Sequence, residues 1–194
     1  MASSRLLFLN LGHSLDHLFM LMFPAVAALA ATELSASYGE ILKLATGSFI
    51  AFGVFPLPMG WLADRFSRES MMTVFFLGIG GSMILTGFST EMWQIFCSLI
   101  LVGMFAAIYH PVGLAMVSQG GGDIGRRLGV NGVWGNMGVA ASALLVGVFA
   151  DVAGWREAFL LAGRLSILIG FGWIRNTRRI VADSSANKKR INAP

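Results

Sequence analysis

Six apolar stretches separated by short polar breaks dominate the sequence and limit what the chain can fold into. Each is long enough to cross about 30 Å of hydrocarbon as a helix rising 1.5 Å per residue, the third only when nearly upright. The stretches lack the alternation of barrel strands, and backbone groups in lipid must be paired internally, so helices are predicted. The predicted spans cover residues 6–30, 38–61, 71–88, 92–118, 128–150 and 155–174.

The composition agrees with a membrane protein. Of the 194 residues, 56% are hydrophobic and 12% are charged, whereas about a quarter of the residues of a soluble domain are charged. The six spans leave no room for a sizeable soluble domain, which excludes most soluble enzymes and nucleic-acid binders. The single cysteine, Cys97, lies in an apolar stretch, so neither an intrachain disulfide nor a thiolate zinc site is expected. The predicted fold class is an all-α polytopic membrane protein.

The positions of the basic residues predict an orientation. Eleven of the 14 Lys and Arg lie on one side of the spans, and the opposite loops hold only Arg156. Because cytoplasmic loops are rich in Lys and Arg, both termini are expected in the cytoplasm, with the spans in the inner (plasma) membrane. Residues 1–174 then form the six-helix domain. Residues 175–194 turn polar and basic, and their composition predicts a mobile cytoplasmic tail.

The order of the spans indicates an internal repeat. Spans one to three and spans four to six occupy similar lengths and are separated by the short turn 89–91. Three helices followed by three more that start from the opposite side form a 3+3 inverted repeat, which is common in secondary transporters.

The loop between spans two and three carries the clearest motif. Residues 60–68 read GWLADRFSR, with Gly60, Asp64, Arg65 and Arg68 at the characteristic positions. The loop resembles the one that marks the major facilitator superfamily, and it lies in the corresponding place. A glycine allows close helix approach, a carboxylate can meet a helix N-terminus, and arginines hold the cytoplasmic edge by ion pairs.

Further residues extend this resemblance. They are similar to the fosmidomycin-resistance type of drug-efflux transporter from about residue 10 to residue 174, which is the N-terminal six-helix half of a twelve-helix fold. The loop departs from the pattern at Ser67, where glycine is usual, and at Glu69, where a basic residue is usual. The similar positions are Tyr109, His110 and Pro111, then Gly135, Asn136 and Gly138, and then Gly154, Trp155, Arg156 and Phe159.

The resemblance implies a secondary active transporter that exports a drug or organic anion, coupled to protons. Because two halves rock about a midplane site in such transporters, one half alone cannot enclose it. The expected partners are therefore a small solute, protons, lipid and a second six-helix half, supplied by a homodimer, a separate chain or a longer native chain. One alternative is a truncated or regulatory membrane subunit that does not transport, and a further alternative is the transport of a metal ion.

Polar side chains inside the spans are the candidate site. In span one, Asn10, His13 and His17 follow at three- and four-residue spacing, with Asp16 adjoining, and form one polar stripe. The helical rise places His13 about 10 Å and His17 about 16 Å from the cytoplasmic face, and His110 and Asn136 each about 12 Å from it. These positions therefore share nearly one level. The resemblance implies that His13, Asp16, His17 and His110 face the substrate path.

Several functions fit this stripe. Asp16 with a neighbouring histidine is the hypothesised protonation site, since a carboxylate and an imidazole can both titrate near neutral pH in such surroundings. Alternatively, the groups hold helices together by hydrogen bonds. His13 and His17 could ligate a metal ion with Asp16 or His110, or a histidine pair could ligate haem. Neither a resident metal nor a cofactor is the favoured prediction, and no enzyme activity is expected, because a Gly-rich serine loop is missing.

Arg164 is the residue that these predictions leave unexplained. It lies about 13 Å below the outer face in span six, a helix that is peripheral in the resembled fold. Glu157 is two turns away and is a distant partner for the guanidinium.

Overall fold

The computed structural model describes residues 2–119 and 122–191, and every regular element within these ranges is helical. In the described residues, five helices are long and apolar enough to cross a membrane. A sixth span results when two helical segments that meet at a 46° bend are counted together. The chain is therefore an all-helical multi-pass membrane protein, as the apolar stretches predict.

The helices follow the order of the predicted spans. A π-helical turn interrupts the fourth span and a second one interrupts the fifth. The helices are α1 (Ala2–Glu33), α2 (Tyr38–Leu44), α3 (Thr46–Val54), α4 (Pro56–Arg65), α5 (Arg68–Phe88), α6 (Met92–Ala106), α7 (Leu114–Ser118), α8 (Ile124–Ala141), α9 (Gly147–Ala153) and α10 (Trp155–Ile191), and the π-helical turns are Tyr109–Gly113 and Ser142–Val146.

The second span is broken at a proline. Helix α3 ends at Val54, and Pro56 begins α4 at a position where its missing N–H costs no hydrogen bond. The two parts meet at 46°. This bend turns α4 toward the π-helical turn Tyr109–Gly113, which it contacts.

Helix α10 corrects the predicted tail. Instead of ending near residue 174, the helix continues to Ile191, so the boundary at 174 is no break in secondary structure. Residues 175–191 contain neither glycine nor proline, and Arg, Lys and Ala all favour helix, so a polar composition is compatible with a helical extension. The last three residues of the predicted tail lie outside the described residues.

Helix α5 packs along α10 through a seam of small residues. A Cβ added to Gly80 would lie 2.8 Å from the carbonyl oxygen of Gly163, and one added to Gly163 would lie 2.6 Å from that of Gly80. The hydroxyl of Ser166, which is fully buried, donates to the carbonyl of Phe76 across the seam at 2.8 Å. Small residues that let two backbones touch are typical of helix pairs in membranes.

Charged groups tie the helices together at both ends of the bundle. At one end Arg5 pairs with Glu69 at 2.6 Å, and the indole of Trp173 donates to the Glu69 carbonyl at 3.0 Å. At the other end Glu33 accepts from Arg156 and from the indole of Trp155, both at 2.7 Å. Helices α1 and α5 therefore run in parallel and α10 runs back, which is the alternation that six consecutive spans require.

Candidate functional site

The polar cluster lies where α1, the π-helical turn Tyr109–Gly113 and α8 meet. Pro111 within this turn has no N–H to donate, so the regular helical ladder cannot run through it unbroken. The wider turn carries Tyr109 and His110 side by side. Tyr109 is fully buried, whereas the His110 side chain keeps 34% of its surface exposed.

Tyr109 and Asn131 form a hydrogen-bonded framework beneath the histidines. The Tyr109 hydroxyl donates to the carbonyl of Leu9 at 2.7 Å. The side-chain amide of Asn131 donates to that hydroxyl and to the Asn10 side chain, both at 2.9 Å. These bonds join three separate spans at one level.

His13 is held in a defined orientation by this framework. Its Nδ1 lies 2.8 Å from the Asn131 carbonyl oxygen, which can only accept, so Nδ1 carries a proton. The ring also stacks on Tyr109, with centroids 4.8 Å apart and planes 18° from parallel. In a neutral His13 the lone pair therefore sits on Nε2, which lies 3.1 Å from Nε2 of His17.

Asp16 pairs with His110 across the helix interface. Oδ2 of Asp16 lies 3.3 Å from Nε2 of His110, and the carboxylate is completely buried. In the described part of the chain, neither Oδ1 nor Oδ2 of Asp16 has a hydrogen-bond partner, so the contact with His110 is electrostatic. A buried carboxylate demands compensation in a membrane, and here the compensation comes from the imidazole on a different span.

The cluster opens to one side. His13 is buried, but His17 and His110 are half-buried. Phe52 of α3 lies edge-on to the His110 ring with centroids 5.6 Å apart. A small solute or ion can thus reach the two outer imidazoles without displacing the helices.

Four of the five residues predicted for the path come together here, namely His13, Asp16, His17 and His110. Asn136 does not, because it is exposed. Asn131 takes its place in the network. The two asparagines are five residues apart, which is about 140° around a helix, so they cannot share a face. The helical rise predicts how deep Asn136 lies in the membrane, but it does not predict which way its side chain faces.

Glycines on α8 indicate the face that Asn131 shares. A Cβ added to Gly135 would lie 2.8 Å from the His13 ring, and one added to Gly138 would lie 2.1 Å from the Ser14 carbonyl oxygen. Asn131, Gly135 and Gly138 follow at spacings of four and three, which place them on one side of the helix. This spacing was the available sequence indicator for Asn131.

The loop motif forms the end of the bundle next to the basic residues. Asp64 forms an ion pair with Arg68 one turn away at 3.5 Å, and the Arg65 guanidinium lies 5.7 Å from the centre of the Trp61 ring. A Cβ added to Gly60 would touch Pro111 at 3.4 Å, an ordinary contact.

Residues at the two departures from the loop pattern have local partners. The hydroxyl of Ser67 accepts from the Ser70 amide at 3.0 Å and caps α5, so Ser67 rather than Asp64 meets the helix N-terminus. Glu69 is the acceptor for Arg5.

Arg164 faces outward from α10 and is exposed. Among the described residues no ion pair joins it to Glu157. The structure therefore separates Arg164 from the histidine cluster and gives no account of its charge.

Comparisons with known proteins place this architecture. A sequence model of the Major Facilitator Superfamily matches residues 9–193. The chain is 29% identical to a puromycin resistance protein of Streptomyces alboniger over 66% of this chain and 26% of that protein. It is 26% identical to a methylenomycin A resistance protein of Bacillus subtilis strain 168, over 97% of this chain and 40% of the relative.

A third relative is named as a sensor and not as a resistance protein. The membrane sensor protein UhpC of Escherichia coli strain K12 is 27% identical over 85% of this chain and 38% of its own length. The chain thus spans less than half the length of these curated relatives. Because the family match covers nearly all of the sequence, the chain belongs to the major facilitator superfamily.

Proposed function

We propose that this chain forms one half of a secondary active transporter that exports a small organic solute in exchange for protons. The observation that carries the proposal is the Asp16–His110 pair, in which a completely buried carboxylate faces an imidazole on another membrane span at 3.3 Å. Ionisable groups inside a membrane are costly and typically mark a solute or proton path.

The cluster has the parts that a proton-coupled step needs. Asp16 and His110 together can hold a proton, and the half-buried imidazoles of His110 and His17 connect that pair to the open side. The framework around Tyr109 and Asn131 joins the same three spans, so a change in protonation at the pair is coupled to the packing of α1 against its neighbours.

An organic solute is the substrate class that the relatives favour. Puromycin and methylenomycin A appear in the names of two resistance proteins that the chain resembles. Both compounds, rather than inorganic ions, are therefore the first substrates to test. We further propose that the basic end of the bundle, with Arg5 and the loop motif, faces the cytoplasm of a cell with its inner membrane as the host bilayer, as the excess of Lys and Arg there favours.

We also propose that a second six-helix half completes the path, either a second copy or another polypeptide. The half-open cluster supports this, since His17 and His110 are reached from one side. So do bulky apolar side chains on α3, α4 and α8, such as Ile50, Leu57 and Val133, which are 65%, 85% and 58% exposed. The detergent-corrected mass of the purified chain tests this. Two chains per particle support a homodimer, and a stable monomer contradicts it.

Transport is tested in proteoliposomes that contain the purified chain and a pH-sensitive dye. With a pH gradient imposed, puromycin or methylenomycin A added on the side of higher pH should speed the dissipation of the gradient relative to protein-free liposomes. No solute-dependent change with either compound, in vesicles where the folded protein is verified, contradicts export of this solute class.

A second candidate function is a membrane sensor that binds a solute without moving it. The likeness to the sensor protein UhpC favours this alternative. The same vesicles distinguish the two functions: a sensor would bind solute and change its tryptophan fluorescence, while the pH gradient would decay at the rate of protein-free liposomes.

A further inference from the structure

The three histidines of the chain lie close enough to one another to act on a single ion. One ring nitrogen from each of His13, His17 and His110 can be chosen so that all three atoms lie within 4.8 Å of one another. The sequence contains no other histidine, so its entire imidazole content converges on this one place. We propose that these side chains form a binding site for a divalent transition-metal ion of the Zn²⁺ and Co²⁺ type.

The spacing of the first two ligands fits a metal. Two nitrogens that each lie about 2.0–2.1 Å from a tetrahedral ion are about 3.4 Å apart. The Nε2 atoms of His13 and His17 are 3.1 Å apart. An ion between them therefore needs a movement of only a few tenths of an ångström, which is less than a change of rotamer.

In His13 and His110, the second ring nitrogen lies near the kind of oxygen that metal-bound histidines use as a partner. His13 donates from Nδ1 to the Asn131 carbonyl, which leaves Nε2 free for an ion. His110 directs Nε2 at the Asp16 carboxylate, which leaves Nδ1. A carboxylate or carbonyl behind the ligand ring fixes its tautomer and increases its basicity, and this arrangement recurs in metal sites.

The ligand chemistry selects the class of ion. Three neutral imidazoles favour Zn²⁺, Co²⁺, Ni²⁺ or Cu²⁺ over Mg²⁺ or Ca²⁺, which prefer oxygen ligands. Three histidines leave a fourth position for water or a solute. His110, which is furthest from the other two, is half-buried, so its ring has room to turn toward the ion. The fourth position then lies on the open side of the cluster.

This site does not depend on transport. A metal that binds to the isolated chain establishes it even when no solute flux is found, and solute flux without metal binding refutes it while the proposed function stands. The two proposals are therefore tested by separate measurements.

Titration of the purified full chain with Co²⁺ alone is the experiment. All measurements use a Cys97→Ser background, because Cys97 is the only thiol and is exposed. One Co²⁺ per chain, with the strong visible absorption of a tetrahedral nitrogen-ligated ion, is expected. Replacing His17 with Ala should weaken binding at least about tenfold, as loss of even an outer partner typically weakens metal sites 10–100-fold.

A variant that gains a signal distinguishes the loss of a metal ligand from misfolding of the protein. In the same background, His17→Cys should retain one Co²⁺ and add a thiolate-to-cobalt charge-transfer band, which only a ligand at position 17 can produce. The matched control, Asn136→Ala, changes an exposed side chain outside the cluster and should bind like the parent. Absence of binding by the folded parent chain, or equal binding by the His17→Ala variant, would overturn the proposal.

Discussion

Two helix contacts in this molecule are both built on glycines, but their polar groups are paired differently. The seam between α5 and α10 and the contact between α1 and α8 both rely on glycines that admit a neighbouring backbone, Gly80 with Gly163 in one and Gly138 in the other. In the seam, the buried hydroxyl of Ser166 finds a carbonyl partner. Beside the second contact, where the π-helical turn Tyr109–Gly113 also meets α1, the carboxylate of Asp16 is buried without a hydrogen bond among the described residues.

This difference distinguishes polar groups that stabilise the fold from polar groups that serve a function. A polar group buried in lipid without a partner costs several kcal/mol, so a seam built only for stability has its polar atoms paired. The place where α1 meets α8 and the π-helical turn Tyr109–Gly113 instead concentrates one carboxylate and three imidazoles, of which two are half-buried. We infer that the seam stabilises the bundle and that the cluster serves solute, proton or metal. The variants below test this division by their effect on the free energy of unfolding.

The largest effect is expected at the seam. Gly80→Ala places a Cβ 2.8 Å from a backbone oxygen of α10, which forces the helices apart, and should destabilise the protein by about 1–3 kcal/mol. Gly81 is the matched control, because no atom lies within 4 Å of its added Cβ. Gly81→Ala should be neutral or stabilising by up to about 1 kcal/mol. Thermal unfolding in detergent measures both, and equal stabilities would show that the seam is loosely packed.

A loss no larger than this is expected when the framework under the histidines is cut. Asn131→Ala removes the donor to Tyr109 and Asn10 and should cost about 1–3 kcal/mol, since the buried groups are left with fewer partners. Asn136→Ala, an exposed change on the same helix, should stay within about 0.5 kcal/mol of the parent. Unfolding by denaturant in micelles compares the pair. A larger loss at position 136 would contradict the assigned face of α8.

Ser166 and Ser82 give a finer comparison within the seam helices. Ser166→Ala deletes a hydrogen bond between two helices and should cost about 1 kcal/mol. Ser82 is also buried, but its hydroxyl donates at 2.8 Å to Gly78 of its own helix. Ser82→Ala should therefore be close to neutral. The two variants are best ranked by their thermal midpoints in the same detergent, and the reverse ranking would show that the Ser166 bond adds nothing to the seam.

The spans and the level of the site could be predicted because the bilayer fixes the length of a helix. Apolar run length gave the spans, and the rise per residue brought His13, His17 and His110 to one depth. These features depend on local geometry alone. The structure confirms the all-helical, membrane-spanning fold class, and it brings the three histidines together.

The remaining features depend on how each helix is rotated. Asn136 and Asn131 lie on the same helix, and the packing of Gly135 and Gly138 against α1 decides that Asn131 faces inward. The partner of Asp16 is likewise set by the π-helical turn that carries His110. Such a turn has no repeating sequence pattern from which it could be predicted. The polar composition of residues 175–191 predicts irregular structure, but composition does not determine backbone conformation, and α10 continues to Ile191.

The central claim is that the Asp16–His110 pair serves proton-coupled transport and not stability. Asp16→Asn, assayed in proteoliposomes for both solute-driven proton flux and unfolding, tests it most directly. The neutral isostere removes a costly buried charge that has no hydrogen-bond partner among the described residues, so it should leave the free energy of unfolding unchanged or increased while solute-driven proton flux is lost. Asp151→Asn, at an exposed carboxylate on α9, should keep both. Undiminished flux in Asp16→Asn, or a loss of stability that accounts for the loss of flux, would contradict the claim.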